Sequence, residues 1–342
     1  MPATSLVKSV VPMKWKRALR ERLCALRINH VFGPRRVALA QNGAAVTCVL
    51  KNGEYFLDSF IEHYLHMGFS HIFFLDNGST DETITLAQRH KNVTVYESKL
   101  PIETYQAVFK KRLAEMVVPD GWCLDVDIDE YFDYPFSHVV SLSRFLEYLN
   151  RGKYTAVLTQ MLDMFSEGPL AALAHKTPQE NLKDVYRYYD LSQVSKVDYR
   201  TAELTRAYAP ENHISHEDTG LYFGGIRKAL FGLNCLLSKH SLFRTGKGLQ
   251  LFPHSHFVNK AKIADVSGVL HHYKFAGNAY ESALLNKEAF VGTQKGYNDM
   301  MRLIDLRPEY RIKTETAVEF RSIVDLVENK FLFVSEDYRR YF

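Results

Sequence analysis

The chain has 342 residues, 46% hydrophobic, 13% aromatic and 24% charged, enough to bury one large core or two smaller ones and too apolar to be disordered throughout. Its four cysteines, Cys24, Cys48, Cys123 and Cys235, are scattered without a C-x-x-C pair, which argues against a zinc ribbon or a disulfide framework and fits a reducing compartment. No run of about eighteen apolar residues occurs and the N-terminus lacks the order of a signal peptide, so a cytoplasmic location is expected, without export or a membrane span.

The formal net charge of +4 conceals an asymmetry. Between Lys8 and Arg36 stand nine basic residues and a single acid, Glu21. Trp15, Leu19, Leu23 and Leu26 fall among them at helical spacing. Residues 1–40 therefore read as a basic N-terminal segment, able to lie on an anionic membrane at its inner face or to pack on the domain as a solvated helix. No alternation of aromatic and basic residues accompanies the charge, so nucleic acid is not an expected partner.

From residue 44 strand patterns alternate with helix patterns. Ala44 to Leu50 is an apolar, β-branched run. Tyr55 to Met67 carries Phe56, Phe60, Tyr64 and Leu65 at helical spacing and stops at Gly68. His71 to Leu75 is a second short strand, closed by Asp76-Asn77-Gly78-Ser79. Ser79 and Glu82 then have the spacing of a capping box, which predicts a helix through about His90. Val93 to Tyr96 reads as a strand, Ile102 to Val118 as a long helix, Pro119-Asp120-Gly121 as its turn, and Trp122 to Val126 as a strand running into acidic residues. This order predicts a largely parallel sheet with helices on both faces, its ligands at the carboxyl ends of the strands. Asp76 and the cluster Asp125 to Glu130 fall at those ends.

Asp125-Val126-Asp127-Ile128-Asp129-Glu130 carries the most chemical information. If the strand continued through it, Asp125, Asp127 and Asp129 would project from one face and repel. A hard divalent cation, Mn²⁺ or Mg²⁺, would hold them together while bridging to a substrate diphosphate. A solvated loop or helix cap is the other reading, but the flanking Leu124, Val126, Ile128, Tyr131 and Phe132 imply partial burial, which unpaired carboxylates do not tolerate. Asp76 has two readings as well. Asp-Asn-Gly-Ser is ordinary turn chemistry, and its place behind a parallel strand and before a helix suits contact with a nucleotide.

Lys51-Asn52, Phe60-Ile61-Glu62-His63-Tyr64, Gly68-Phe69, Asp76 to Asp81, and Trp122 with Asp127-Ile128-Asp129-Glu130 together resemble family 2-type glycosyltransferases of the GT-A fold, specifically a bacterial subgroup with a D-x-D-E motif. The resemblance covers Val46 to Phe132. It implies an α/β, Rossmann-like mixed sheet, mostly parallel, flanked by helices and followed by a helical C-terminal extension. It also implies a nucleoside-diphosphate-sugar donor contacted by Lys51, Asn52, Asp76, Asn77, Asp127 and Arg227, with the metal on Asp127 and Asp129. Gly53 departs from the subgroup, which has glutamate there.

Past residue 150, Gly224-Gly225-Ile226-Arg227, Lys239, His254 and His256 are similar to the acceptor-side half of such enzymes. In that family type a late histidine completes the metal site. His272 is the match, with His271 the adjacent alternative, and imidazole favours manganese over magnesium. An inverting transfer needs a base for the acceptor hydroxyl. Asp218, in the polar run His213 to Gly220, resembles the family's base, with Glu203 and Glu211 as alternatives. The domain reading is thus 1–40, a transferase domain over 41–280, and a C-terminal extension over 281–342 with helical patterns at 283–304 and 316–330. Its aromatic residues are expected to pack on the main domain rather than stack on sugars.

The function expected from all this is metal-dependent, inverting glycosyl transfer in surface polysaccharide or glycan synthesis, onto a glycan, lipid-linked or protein acceptor. A nucleotidyltransferase would use similar geometry but should carry a glycine-rich basic phosphate loop after the first strand, and Lys51-Asn52-Gly53-Glu54 is a poor one. A non-catalytic carbohydrate- or membrane-surface-binding protein would be expected to have lost Asp127 or Asp129, and both are present.

Overall fold

The expected alternation is present in the computed structural model, which describes residues 13–173, 182–277 and 309–342. Helix α1 (Met13–Leu26) and strand β1 (Asn29–Phe32) precede β2 (Ala44–Leu50), α2 (Glu54–Met67), β3 (Ile72–Asp76), α3 (Thr83–Ala87), β4 (Val93–Glu97), α4 (Ile102–Val117) and β5 (Gly121–Asp125). Both β2 and β3 are buried along their whole length, as parallel strands covered on two faces must be. Their side chains divide by alternation. Val46, Cys48, Ile72 and Phe74 pack with Leu57 and Phe60 of α2, and Ala45, Val49, Phe73 and Leu75 with Phe109 and Leu113 of α4. Helix α2 ends where Gly68 takes a left-handed conformation, φ 104°, and its N–H closes on Leu65 and Tyr64.

The chain continues through β6 (Glu130–Asp133), α5 (Leu142–Arg151), β7 (Ala156–Asp163), α6 (Leu170–Leu173), α7 (Leu182–Val185), β8 (Tyr188–Tyr189), β9 (Val194–Asp198), α8 (Glu203–Tyr208) and β10 (His213–Ile214). Then come β11 (Gly220–Gly224), α9 (Ile226–Phe231), β12 (Ser238–Thr245), β13 (Gln250–His254), β14 (Phe257–Asn259), β15 (Lys262–Ile263), β16 (Gly268–His272) and β17 (Val318–Glu319). The main sheet runs β1-β4-β3-β2-β5-β12-β7-β15-β10, with β16 beside β7 and β6. Its β4-β3-β2-β5 part is parallel, β12 lies antiparallel between β5 and β7, and β16 is parallel to β7 and antiparallel to β6. The fold is therefore α/β, a Rossmann-like mixed sheet with parallel pairings in the majority and helices on its faces. From β2 the chain steps outward through β3 and β4, then returns to place β5 on the other side of β2. The crevice between the carboxyl ends of β2 and β5 is the topological switch point, where such sheets bind ligands.

Three local expectations are corrected. The capping box does not form. Helix α3 starts after Glu82 without a side-chain cap and ends at Ala87, short of His90, because the Ser79 hydroxyl donates instead to Asp76. The strand expected from Trp122 to Val126 stops at Asp125, so the continuation that would set Asp125, Asp127 and Asp129 on one face is not realised, and the Glu130 N–H closes a turn on the Asp127 carbonyl at 3.0 Å. The helix expected over 316–330 is confined to Ile323–Glu328, since Val318 and Glu319 pair with β8 and the Phe320 N–H donates to the Arg187 carbonyl. The helical pattern at 283–304 lies outside the described residues.

Residues 309–342 pack into the main core. Leu326, Phe331, Leu332 and Tyr338 are buried in the cluster that also holds Val46 and Trp122. Tyr338 is fully buried. Its ring stacks on Phe136 and meets Tyr148 edge-on, and its hydroxyl donates to the Pro135 carbonyl at 2.7 Å. Tyr338→Ala should therefore lower the unfolding free energy by about 3–5 kcal/mol, read as a fall in the urea midpoint. A loss below about 1 kcal/mol would show the tail to be a separable appendage.

Candidate functional site

The acidic loop leaves β5 at the switch point. Asp125, its first member, is buried and accepts from the Lys110 ammonium at 2.8 Å and from the Thr47 hydroxyl at 3.4 Å. Burial raises its pKa to about 6 despite Lys110. Asp127 comes next, with its side chain 33% exposed. Lys110 donates to its Oδ1 at 2.9 Å and Lys239 to its Oδ2 at 2.6 Å. Burial opposes the charge on Asp127, but the two ammonium groups overcome it and hold the carboxyl well below the usual range. Lys239 also donates to Glu130 Oε1 at 2.6 Å, and Glu130 Oε2 accepts the Asp127 N–H at 2.9 Å. Lys110 and Lys239 are themselves buried, yet the surrounding carboxylates keep both pKa values raised.

Sheet register assembles the other side. In β16, His272 lies opposite Asp163 of β7 and Glu130 of β6. The Tyr273 N–H donates to the Asp129 carbonyl at 2.8 Å, which ties the acidic loop to the end of β16. His272 Nδ1 is 2.6 Å from Asp163 Oδ1, and its Nε2 is 3.4 Å from Asp129 Oδ2. Burial works against protonation of this ring, but Asp129 and Asp163 on either side prevail and push its pKa up to about 9. Asp163 also accepts from Arg227 Nε at 2.8 Å, whereas Arg227 Nη2 is buried without a partner among the described residues. His271, on the other face of β16, meets the Phe320 ring edge-on instead. His272 is thus the histidine of this site.

The divalent cation implied by the resemblance can be tested against these donors. Asp129 and His272 face each other, and Asp163 holds the far nitrogen of the ring, the arrangement that orients a metal-binding imidazole. Asp127 does not join them, because both of its oxygens are committed to lysines. Among the described residues no group of three or more His, Cys, Asp or Glu side chains is arranged to hold a metal. A cation held by Asp129 and His272 fits the residues present if substrate and water oxygens supply the remaining positions.

The loops after β2 and β3 lock together at the opposite side of the crevice. Asn52, in the left-handed region at φ 55°, accepts the Thr80 N–H at 2.8 Å and donates its own N–H to the Ser79 hydroxyl at 2.8 Å. The Gly53 N–H donates to the Thr83 hydroxyl and the Glu54 N–H to Asp81. Asp76 is buried and accepts from the N–H groups of Gly78 and Ser79 at 2.8 and 3.0 Å. Asn77 donates to the Ser98 and Leu100 carbonyls, and Lys51 is exposed. Asp218 stands apart from the acidic cluster's hydrogen-bond network, with its side chain 62% exposed and 3.5 Å from Lys196. Its neighbour in the turn is His216, 3.9 Å away.

Lys110 and Asp163 were not anticipated. A signal for each is present in the sequence. Lys110 falls on the helical face of Leu113, Ala114 and Val117, all buried, so a lysine there must find an anion. Asp163 closes the strand β7, Ala-Val-Leu-Thr-Gln-Met-Leu-Asp, at its carboxyl end.

No protein-family model matches the chain, and no curated protein matches it. Among solved structures it is similar to a UDP-glucose pyrophosphorylase complexed with UDP-glucose, at a TM-score of 0.25 and 6% identity, over 82% of this chain and 90% of that one. A likeness that slight leaves the chemistry to the geometry of the site.

Lys239→Met should unfold the protein more readily, by about 3–5 kcal/mol, because it leaves the buried Glu130 without its cation and Asp127 with Lys110 alone. Adding Glu130→Gln to Lys239→Met should recover part of the loss. A single variant as stable as the parent in chemical denaturation would refute the closed ion cluster.

Proposed function

We propose that the protein is a glycosyltransferase that binds a nucleoside-diphosphate sugar in the crevice between β2 and β5 and transfers the sugar to an acceptor hydroxyl with inversion. One observation carries the reading. At the end of β7 a buried guanidinium, Arg227, bonds Asp163 and keeps an Nη2 without a partner among the described residues, while Asp129 and His272 face each other at 3.4 Å, so a donor for a diphosphate lies in the same bonded network as two ligands for a cation.

The chain's own residues have distinct tasks in this reading. Arg227 donates to a diphosphate oxygen, with Asp163 fixing its plane. Lys110 and Lys239 keep Asp127 ionised and immobile, so that its partly exposed edge meets the donor in one orientation. Asp76, Asn77 and Asn52 set the paired loops against which the nucleoside lies, and Lys51 at their rim attracts the phosphates. Manganese or magnesium, when bound, would be held by Asp129 and His272 and would offset the negative charge that gathers on the departing diphosphate. Asp218, exposed on the loop before β11, is the base proposed for the acceptor hydroxyl, taking its proton as the oxygen attacks the anomeric carbon.

The loop after β2 disfavours a nucleotidyltransferase. An enzyme that cradles a triphosphate on backbone N–H groups needs them free. Those of Asn52, Gly53 and Glu54 already donate to Ser79, Thr83 and Asp81.

Thermal shift of the full chain against nucleoside diphosphates and their sugars tests the proposal. A uridine or guanosine diphosphate should raise Tm only with Mn²⁺ present, and Asp129→Asn should abolish the shift. Product analysis separates the chemistries. Release of nucleoside diphosphate from a nucleotide sugar marks glycosyl transfer, whereas formation of nucleoside triphosphate from the same compound and pyrophosphate would overturn it. Asp218→Asn should lower kcat by about a hundredfold or more without changing the donor-induced shift.

A further inference from the structure

Helix α1 joins the body of the protein by one face. Cys24 is fully buried there, and Arg17 Nη2 donates to the Phe252 carbonyl at 3.0 Å. The only acid among the basic residues between Lys8 and Arg36 is Glu21, and its Oε1 turns inward to Lys111 of α4 at 2.9 Å and to Arg17 Nε at 3.2 Å. The opposite face carries Leu19, Leu23 and Leu26, which are 59%, 40% and 79% exposed. At about 100° per residue these leucines form one narrow stripe, with Arg22 along one side and Arg20 and Arg27 along the other. All three arginines are exposed. The fold has thus paired the segment's single negative charge with Lys111 and Arg17 and presented an apolar ridge lined on both sides by cations.

We infer that α1 is a docking surface for an anionic membrane, lying in the plane of the interface with its leucines among the acyl chains and its arginines at the headgroups. Charge decides the occupant. A second copy of the same face would bring the arginine rows of two molecules together, and like charges in apposition repel. A lipid surface rich in phosphate attracts them, and long basic side chains can reach the headgroups while their stems lie beside the leucines. Lys8, Lys14 and Lys16 add positive charge to the same segment of the chain. The attachment is peripheral, since among the described residues no helix is long and apolar enough to cross a membrane. It concerns a face distinct from the charged cluster and does not depend on the donor chemistry.

Cosedimentation of the full chain with lipid vesicles tests it. Binding is expected to vesicles of phosphatidylcholine with phosphatidylglycerol, to be weak on phosphatidylcholine alone, and to fall as salt is raised. Leu19→Ser/Leu23→Ser/Leu26→Ser should weaken it by about tenfold or more with little change in Tm, because those side chains are exposed. Arg20→Gln/Arg22→Gln/Arg27→Gln should weaken it by about a hundredfold, each arginine near an anionic surface contributing about fivefold. No binding to the anionic vesicles, or equal binding by both variants and the parent, overturns the inference. So does a parent that sediments as a dimer, becomes monomeric in the leucine variant and binds vesicles no differently.

Discussion

Asp127 lies between two buried ammonium groups, Lys110 from a helix and Lys239 from a strand of the second half of the chain. Taking such charges out of water costs several kcal/mol per ion, and attraction between them offsets that only when every remaining lone pair is met. Here the requirement extends outward. Lys110 must also meet Asp125, Lys239 must also meet Glu130, and Glu130 must accept the Asp127 N–H. Each bond fixes another element, so α4, β5, β6 and β12 are held at one end of the sheet by a network that hydrophobic packing alone would not specify. A cluster this demanding adds little to stability as such, which is a physical reason to look for its purpose in ligand chemistry.

The antiparallel insertion of β12 between β5 and β7 joins the two halves of the site. It carries Lys239 to the switch point and spaces β7 and β16 so that Asp163 and His272 come into register beside the acidic loop. Without that insertion the first half would be a parallel sheet whose run of carboxylates had Lys110 alone to meet it. With it, the negative charges meet Lys110, Lys239, Arg227 and His272. Helix α4 links this site to α1 through adjacent residues, since Lys110 points into the cluster and Lys111 holds Glu21 of α1.

Where local signals failed, a stronger partner had claimed the residue. Ser79 has the spacing of a helix cap, but the buried Asp76 needs donors and takes the Ser79 hydroxyl along with two backbone N–H groups. A strand continued past Val126 would have set Asp125, Asp127 and Asp129 on one face, but β5 ends at Asp125 and Glu130 folds back to accept the Asp127 N–H. That break turns the carboxylates in different directions. Asp125 and Asp127 face the lysines and Asp129 faces His272, so the three do not gather around one cation as an extended strand would have placed them.

The first half of the sheet was legible from residues alone, because period and burial are local properties. Apolar runs of strand length, helical spacing ended by glycine, and acids at strand ends located β2 to β5 and the loop from Asp125 to Glu130. The resemblance singled out Arg227 and His272 and joined His272 to Asp127 and Asp129 through a metal, but it gave Arg227 no partner in the chain and did not point to Asp163. Which cation answers which carboxylate depended on bringing together residues separated by 109 positions for His272 and Asp163 and 112 for Lys239 and Asp127. Only the pairing of β12 and β16 with the rest of the sheet could decide that, because a charge buried by tertiary packing must take as its partner whatever the fold sets within reach.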